Sequence, residues 1–346
     1  MENNIARVLI AMSGGVDSSV AAFVMREQGY DCAGVTLRLG QDADVEDACS
    51  VAQRLGIPFF VFDFAEAFER EVIRRFVSAY RRGETPNPCV DCNRFIKFGA
   101  LLPKAEELDY PYIVTGHYVR REFDSASNRY ILRKGLDTGK DQSYVLYTLT
   151  QAQLARALFP LGGMTKAEVR RTAEAQGFIN AAKKDSQDIC FVPDGDYGGF
   201  LERYTGHPLT PGNFIDAAGR VLGRHRGTPR YTLGQRKGLG LALPAPGYVC
   251  AIDPAANTVT VGGEDRLFSS RLEAVDINMI ACERLDAPIR VRAKIRYSQQ
   301  EQWATAEQTA PDRLHLEFDA PQRAITPGQA VVLYDGDVVV GGGRII

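Results

Sequence analysis

The sequence predicts an α/β protein: a parallel-sheet domain first, then a small, mostly β linker domain, then a C-terminal antiparallel β-barrel. Three observations predict it. Short apolar segments alternate with helical periodicities from residue 7 to about 165, a glycine turn follows the first of them, and helical periodicity fades after about residue 205. The implied domains are 1–204, 205–268 and 269–346.

"RVLIAM" reads as a short, fully apolar strand and "DSSVAAFVMREQGY" as an amphipathic helix ending near Gly29. "CAGVTLRL" and "PFFVFDF" read as the second and third strands, with the helix "VEDACSVAQRLG" between them. "AFEREVIRRFVSAYRRG" and "FIKFGALLPKAEEL" read as helices, and "YIVTGHY" as a further strand. Apolar strands separated by helices are covered on both faces, the parallel arrangement, and a ligand crevice then lies at their carboxyl ends. "MTKAEVRRTAEAQGF" is a helix with Thr165 as N-cap and Glu168 in the capping-box position. Farther on, "PGYVCAIDP", "NTVTVGG", "IRVRAKIRY", "RLHLEF" and "AVVLYDGDVVVGGGRII" are short strands separated by turns such as "YDGD".

At 346 residues the chain exceeds one ordinary core. Its 45% apolar and 24% charged content is that of a soluble globular protein, and no apolar run is long enough to span a bilayer. The start "MENNIARVLIAMSGG" lacks a basic n-region and a small-residue cleavage site, so a cytoplasmic protein is expected. Thiols stay reduced there, and seven cysteines then imply catalysis, metal binding or core filling rather than a disulfide framework. A net charge of −2 argues against indiscriminate nucleic-acid binding but leaves room for a local basic face. "GRVLGRHRGTPRYTLGQRKG" supplies one: Arg220, Arg224, Arg226, Arg230, Arg236 and Lys237 with no acidic residue among them.

The glycine turn is "SGGVDSS", Ser13 to Ser19. Gly14 and Gly15 permit a tight turn and let backbone N–H groups approach a ligand. Ser18 and Ser19 add hydroxyls at the positive end of the helix dipole, where phosphate is stabilised. Asp17 would repel a bare phosphate, so a bridging Mg²⁺ is expected. The Lys of a Walker loop and the glycine spacing of a dinucleotide fold are both missing. A serine-capped turn is the plain alternative; its position at the first crossover favours phosphate.

"SGGVDSS" resembles the PP-loop of the ATP pyrophosphatase superfamily, enzymes that cleave ATP to AMP and pyrophosphate while adenylating a substrate oxygen. "TPNPCVDCNRFIKFG", "VTGHY", "KDQSYVLY", "SQDICFVP", "YTLGQRKGLG" and "RYSQQ" are similar, in order and wording, to the bacterial tRNA-specific 2-thiouridylases, over almost the whole chain. The resemblance implies ATP-dependent replacement of the 2-oxygen of the wobble uridine by sulfur in the tRNAs for Lys, Glu and Gln. A ring carbonyl oxygen is a poor leaving group; AMP transfer makes it a good one, and a protein-held sulfur takes its place.

By the same resemblance Cys92 is the nucleophile and Cys190 carries a persulfide delivered by a donor; the partners expected are tRNA and a persulfide or sulfide donor protein or relay. Both thiols should then have lowered pKa values, through Lys97, Arg94 or a helix N-terminus. The resemblance places ATP against Ala11, Met12, Ser13, Gly14, Gly15, Val16, Asp17 and Ser18, with Leu37 and Gly116. It places tRNA against Asn87 and Pro88 near the target base, then against His117, against Lys140, Asp141 and Gln142, and against Arg296, Tyr297 and Gln329. A hydrogen-bonded histidine at a strand end is the plain alternative for His117. The reacting carbon is hidden in a stacked loop, so the base must flip out.

The better-known family members have Asp-x-x-Cys where this chain has Cys89-Val90-Asp91-Cys92. Three readings follow. Asp91 takes over the acid role, sharing a face with Cys89 if the chain is extended. Cys89 and Cys92 form a redox pair. Or Cys89, Cys92 and Cys190 ligate an iron–sulfur cluster whose open iron binds sulfide. Zinc would need a fourth ligand that the sequence does not offer. The persulfide–disulfide chemistry and the cluster both use Cys92 and Cys190. Cys32, Cys49, Cys250 and Cys282 read as core residues. Two rival functions remain: an amide-forming PP-loop ligase, with no use for Cys92 or Cys190, and a non-catalytic tRNA-binding sulfur carrier, with no use for "SGGVDSS".

Overall fold

The computed structural model describes residues 5–40, 45–183 and 189–346, so residues 186–188 of "SQDICFVP" lie outside them. Strand β1 (Arg7–Ala11) leads into helix α1 (Val16–Glu27), β2 (Asp31–Arg38), α2 (Val45–Leu55) and β3 (Phe59–Asp63). Helix α3 covers residues 65–81 and α4 residues 88–106, each with π-helical turns, Glu69–Ile73 and Cys92–Ala100. Strand β4 (Tyr112–Val114) follows, then a hairpin of β5 (Val119–Asp124) and β6 (Arg129–Lys134). Helix α5 (Gln151–Arg156), β7 (Ala157–Leu158) and α6 (Lys166–Ala175) complete this part.

The first sheet has the order β3-β2-β1-β4-β7, and each of its pairings is parallel. Val8, Leu9 and Ile10 at its centre are fully buried, as their unbroken apolar run requires. The chain leaves β1 toward β2 and β3, then returns to the other side with β4. At that reversal the loops after β1 and β4 part and open a crevice. The capping box at Thr165 is present: its hydroxyl accepts from Glu168 N, and the Glu168 carboxylate accepts from Thr165 N at 2.7 Å.

The start of α4 differs from the sequence reading, which begins that helix at Phe95 and allows an extended chain at residues 89–91. Pro88 occupies the first helical turn with φ already set, and Asn87 Oδ1 accepts from Cys89 N at 3.1 Å. Residues 88–91 are therefore helical. Cys89 and Cys92, three apart, share a helix face, and Asp91 does not share it with Cys89.

Helix α7 (Tyr197–Thr205) precedes a small sheet of order β10-β11-β8-β9, formed by β8 (Gly212–Ile215), β9 (Val221–His225), β10 (Tyr248–Asp253) and β11 (Thr258–Gly262). Phe214, Tyr231, Val249 and Val259 fill its core. Strands β12 (Phe268–Met279), β13 (Ile289–Lys294), β14 (Gln302–Ala310), β15 (Arg313–Arg323), β16 (Ala330–Asp335) and β17 (Val338–Ile345) form the antiparallel barrel, closed by β12 pairing with both β15 and β17. Closure removes free edges; the β5–β6 hairpin attaches outside through Arg133 and Val338. Among the described residues no helix is long and apolar enough to cross a membrane.

Candidate active site

The loop after β1 turns at Gly14, whose φ of +73° favours glycine. Gly116, after β4, lies so close that a Cβ there would meet Ser18 N and the Asp17 carbonyl carbon at 2.9 Å. The turn is braced from within and without. Ser18 Oγ and Ser19 Oγ each donate to Gly15 O at 3.0 Å, and Asn180 Nδ2 donates to Gly14 O at 3.0 Å. These hydroxyls thus commit their protons to the loop's own carbonyl, leaving the helix's first N–H groups for an anion.

Asp17 is not free to await a cation. Its Oδ1 and Oδ2 lie 2.7 and 2.8 Å from Lys166 Nζ, and Tyr118 OH donates to Oδ1 at 2.7 Å. Among the described residues no other carboxylate lines the crevice. One carboxylate, already paired, does not fit a protein-held Mg²⁺.

The crevice is a cavity of about 630 Å³. Ala11, Met12, Ser13, Asp17 and Ser18 line it from the first loop, Leu37 from β2, and Gly116, His117 and Gln142 from the far wall. Gly14, Gly15 and Val16 shape the turn and are not on the lining; Val16 is buried. Cys190 and Lys97 open onto the same space. His117 is buried and neutral: its Nδ1 lies 2.7 Å from Thr115 Oγ1, and burial holds its pKa well below the ordinary range.

The cysteines do not show the expected lowered pKa values. Burial pushes the Cys92 thiol up to about 11, with Lys97 pulling the other way and Cys190, Cys89 and Asp91 adding to the rise. Cys89 and Cys190 are raised as well, chiefly by desolvation, but both residues are exposed, so the effect on them is weaker than on Cys92. Arg94 gives no help because its guanidinium is bound to Asp276 at 2.7 Å. Cys92 also lies a full turn beyond the start of α4, past the unpaired N–H groups. Cys92 and Phe191 pack on the same apolar cluster, which brings the Cys190 segment up to Cys92. Even so, no group of three His, Cys, Asp or Glu side chains among the described residues is arranged to hold a metal ion. Among the described residues the iron–sulfur alternative therefore has no preformed cradle. Of the remaining cysteines Cys32 is buried, while Cys49, Cys250 and Cys282 are only partly so.

Asp91, expected beside the reacting cysteines, lines a second cavity together with Asn87, and burial pushes its carboxyl up to about 6. Pro88 is buried at the helix start. Several residues expected to touch tRNA hold the barrel to the first domain. Gln329 Nε2 donates to Thr85 O at 2.6 Å, and Tyr297 OH to Asp141 O at 3.3 Å. Asp141 also caps Gly135 N and Ser143 N, and Arg296 Nη2 donates to Arg323 O and Ala324 O. Lys140 is half-buried beside them. In the basic run, Arg230 is paired with Asp196 and Glu202 and Arg220 with Asp216, whereas Arg226, Arg236 and Lys237 are exposed. Sequence reasoning missed Tyr118, Lys166 and Asn180 as parts of the site; their partners are 101 to 166 positions away, and no local pattern marks them.

Three family profiles cover the chain: "tRNA methyl transferase HUP domain" over residues 6–194, "tRNA methyl transferase PRC-barrel domain" over 198–263 and "Aminomethyltransferase beta-barrel domain" over 269–345. The tRNA-specific 2-thiouridylase MnmA of Moorella thermoacetica is 52% identical, across 97% of this chain and 98% of its own length. The tRNA-specific 2-thiouridylase MnmA 1 of Caldanaerobacter subterraneus subsp. tengcongensis is 50% identical, across 98% and 97%. MnmA of Acetivibrio thermocellus is 48% identical, across 98% and 99%. With half its residues shared along practically its entire length, this chain belongs to the family of tRNA-specific 2-thiouridylases.

Proposed function

We infer that this protein thiolates a tRNA uridine at C2 with the energy of ATP, and that it does so on Cys92 and Cys190. One observation carries the assignment of Cys190: the cavity lined by the nucleotide loop at Ser13, Asp17 and Ser18 is also lined by Cys190, and Cys92 joins it through the family motif. Activation and sulfur transfer then share one crevice.

In this reading the uridine O2 attacks the α-phosphorus of ATP and pyrophosphate leaves, giving an O2-adenylated ring. The terminal sulfur of a Cys190 persulfide, transferred from a donor protein's own persulfide whose thiolate leaves, adds to C2 and AMP departs with the oxygen. The Cys92 thiol, losing its proton, attacks the Cys190 sulfur. The Cys190–sulfur bond to the base breaks, sulfur stays on C2, and a Cys92–Cys190 disulfide forms that a thiol reductant reopens. Mg²⁺, on this account, arrives with the nucleotide as its counter-ion. Lys97, which opposes the burial of Cys92, is the group closest in effect to stabilising its thiolate. A tRNA substrate puts the site of action in the cytoplasm.

The test is reconstitution with unmodified tRNA, Mg-ATP and a persulfide or sulfide source, followed by nucleoside mass analysis. One oxygen replaced by one sulfur in the anticodon uridine is expected, with C92S and C190S silent in thiolation yet still binding ATP. An unaltered uridine under every sulfur supply would remove the reading, and full ATP turnover by both variants would point to an amide-forming ligase.

A further inference from the structure

On the side of α4 away from the nucleotide loop lies the second cavity, about 520 Å³, walled by α3, α4 and the barrel. Four guanidinium groups reach it, from Arg75, Arg82, Arg94 and Arg344, against three carboxyl groups, from Glu84, Asp91 and Asp276. Two of the arginines are committed: Arg94 to Asp276 at 2.7 Å and Arg82 to Glu84 at 2.8 Å. The other two are held loosely. Arg344 stands 3.7 Å from Glu84, and Arg75 stands 3.4 Å from Glu71 while lying 4.4 Å over the Phe95 ring. Both separations exceed a normal charge-assisted hydrogen bond, and the further carboxyl that the two share on this cavity is Asp91.

A second, independent feature marks the same wall. Thr148 is 4% exposed, and among the described residues its Oγ1 has no hydrogen-bond partner. A buried hydroxyl left unpaired costs free energy, and this one is closed within the wall rather than open to the cavity.

Position says what the arginines face. Asn87 lies on this cavity and caps α4, whose opposite face carries Cys89 and Cys92. A helix with its side chains is about 10 Å across, a width that consecutive nucleotides of an unstacked strand straddle. A strand that delivers a flipped uridine to the cysteines crosses the α4 start and lays its next link over the arginines. Planar guanidinium forks suit phosphate oxygens in particular.

We propose that this second cavity is the subsite for the phosphodiester next to the reacting uridine, held by Arg75 and Arg344. The proposal rests on the reading of the chain as a tRNA-thiolating enzyme.

The experiment measures RNA affinity against salt for wild type, R75Q, R344Q and the double variant. It uses an anticodon stem-loop carrying uncharged methylphosphonate links, one position at a time, around the target uridine. The double variant should bind about tenfold more weakly, with a salt slope shallower by roughly 0.7 for each phosphate no longer neutralised. One methylphosphonate position should weaken wild type by a similar factor and the double variant hardly at all, while ATP affinity stays within about twofold because neither arginine lines the nucleotide cavity. Unchanged affinity and slope in the variants, or methylphosphonate losses fully additive with theirs at every position, would overturn the subsite. If the double Gln variant does not fold, R75K with R344K keeps the charges and removes the forks, and unaltered RNA binding by that pair overturns it equally. Wild type that neither binds nor thiolates tRNA would instead bring down the functional reading, a result the variants cannot mimic.

Discussion

Lys166 Nζ grips both oxygens of Asp17, at 2.7 and 2.8 Å, from the first turn of a helix 149 positions away. Tyr118 OH completes the clamp at 2.7 Å. The one acidic residue of the nucleotide loop is thereby neutralised, and a loop that would otherwise repel phosphate becomes able to accept it.

Replacing Lys166 by Met should therefore act twice. The half-enclosed Asp17 carboxylate loses its charge partner, which lowers stability by roughly 1–3 kcal/mol, less than a fully buried pair because Asp17 is a third exposed. It also regains its repulsion of triphosphate, so ATP affinity should fall about tenfold or more at low Mg²⁺ and recover as Mg²⁺ rises. Thermal unfolding and ATP titrations at two Mg²⁺ concentrations check both. Adding D17N to K166M should restore most of the stability; a simple sum of the two losses would refute the clamp.

Cys92 should behave as a protonated thiol in the free protein. With its pKa raised to about 11 by burial, its rate of alkylation by iodoacetamide should climb steadily from pH 7 to pH 10 without a plateau. Peptide mapping distinguishes it from Cys89 and Cys190, which are raised too. A plateau below pH 8 would mean that Lys97 outweighs burial. Alkylation that accelerates at pH 7 once tRNA and ATP are bound would show the substrates themselves making the thiolate.

Much of this site is readable in the primary structure. Parallel strands announce themselves as unbroken apolar runs, so β1 to β4 and the crevice at their ends follow from "RVLIAM", "CAGVTLRL", "PFFVFDF" and "YIVTGHY". The hairpin β5–β6 does not, because its cations look like a solvated loop until Arg120 and Arg133 meet Asp337, more than 200 positions on. "TPNPC" hides the start of α4 because two prolines signal a turn, whereas Pro88 here opens a helix. That one local ambiguity puts Asp91 beside Cys89 when the helix turns it toward another cavity. Neighbouring cations in the sequence suggest lowered thiol pKa values, and the opposing effect, burial, is a property of packing that no short window contains.

Gln329 should contribute to the seam between barrel and first domain rather than act by chemistry. Its amide donates to Thr85 O at 2.6 Å, and the Thr85 N–H is itself bound to Pro327 O at 2.8 Å. Q329A should cost about 0.5–1.5 kcal/mol in stability. Its effect on thiolation should appear in the KM for tRNA with kcat within about twofold of wild type. A large fall in kcat at unchanged KM would assign it a part in the reaction itself.

Asp91 offers the clearest pH signature. Burial lifts its carboxyl to about 6, above the ordinary 3.8, against the pull of Arg75, Arg94 and Arg344 and with Asp276 adding to the rise. A carboxyl raised on folding favours the folded state while it is protonated. That contribution is complete below about pH 4 and is lost as pH rises through 6. At pH 8 the wild type therefore keeps a poorly solvated charge that Asn would not. D91N should raise the thermal midpoint at pH 8, equivalent to roughly 1–3 kcal/mol, and the gain should vanish near pH 4. The reverse order, with D91N less stable at pH 8 than at pH 4, would mean that the surrounding arginines stabilise the carboxylate more than burial penalises it. Asp91 would then be an ordinary ion-pair partner, whereas the packing of α4 against the barrel makes it a carboxyl kept near its titration point beside the arginines of the second cavity.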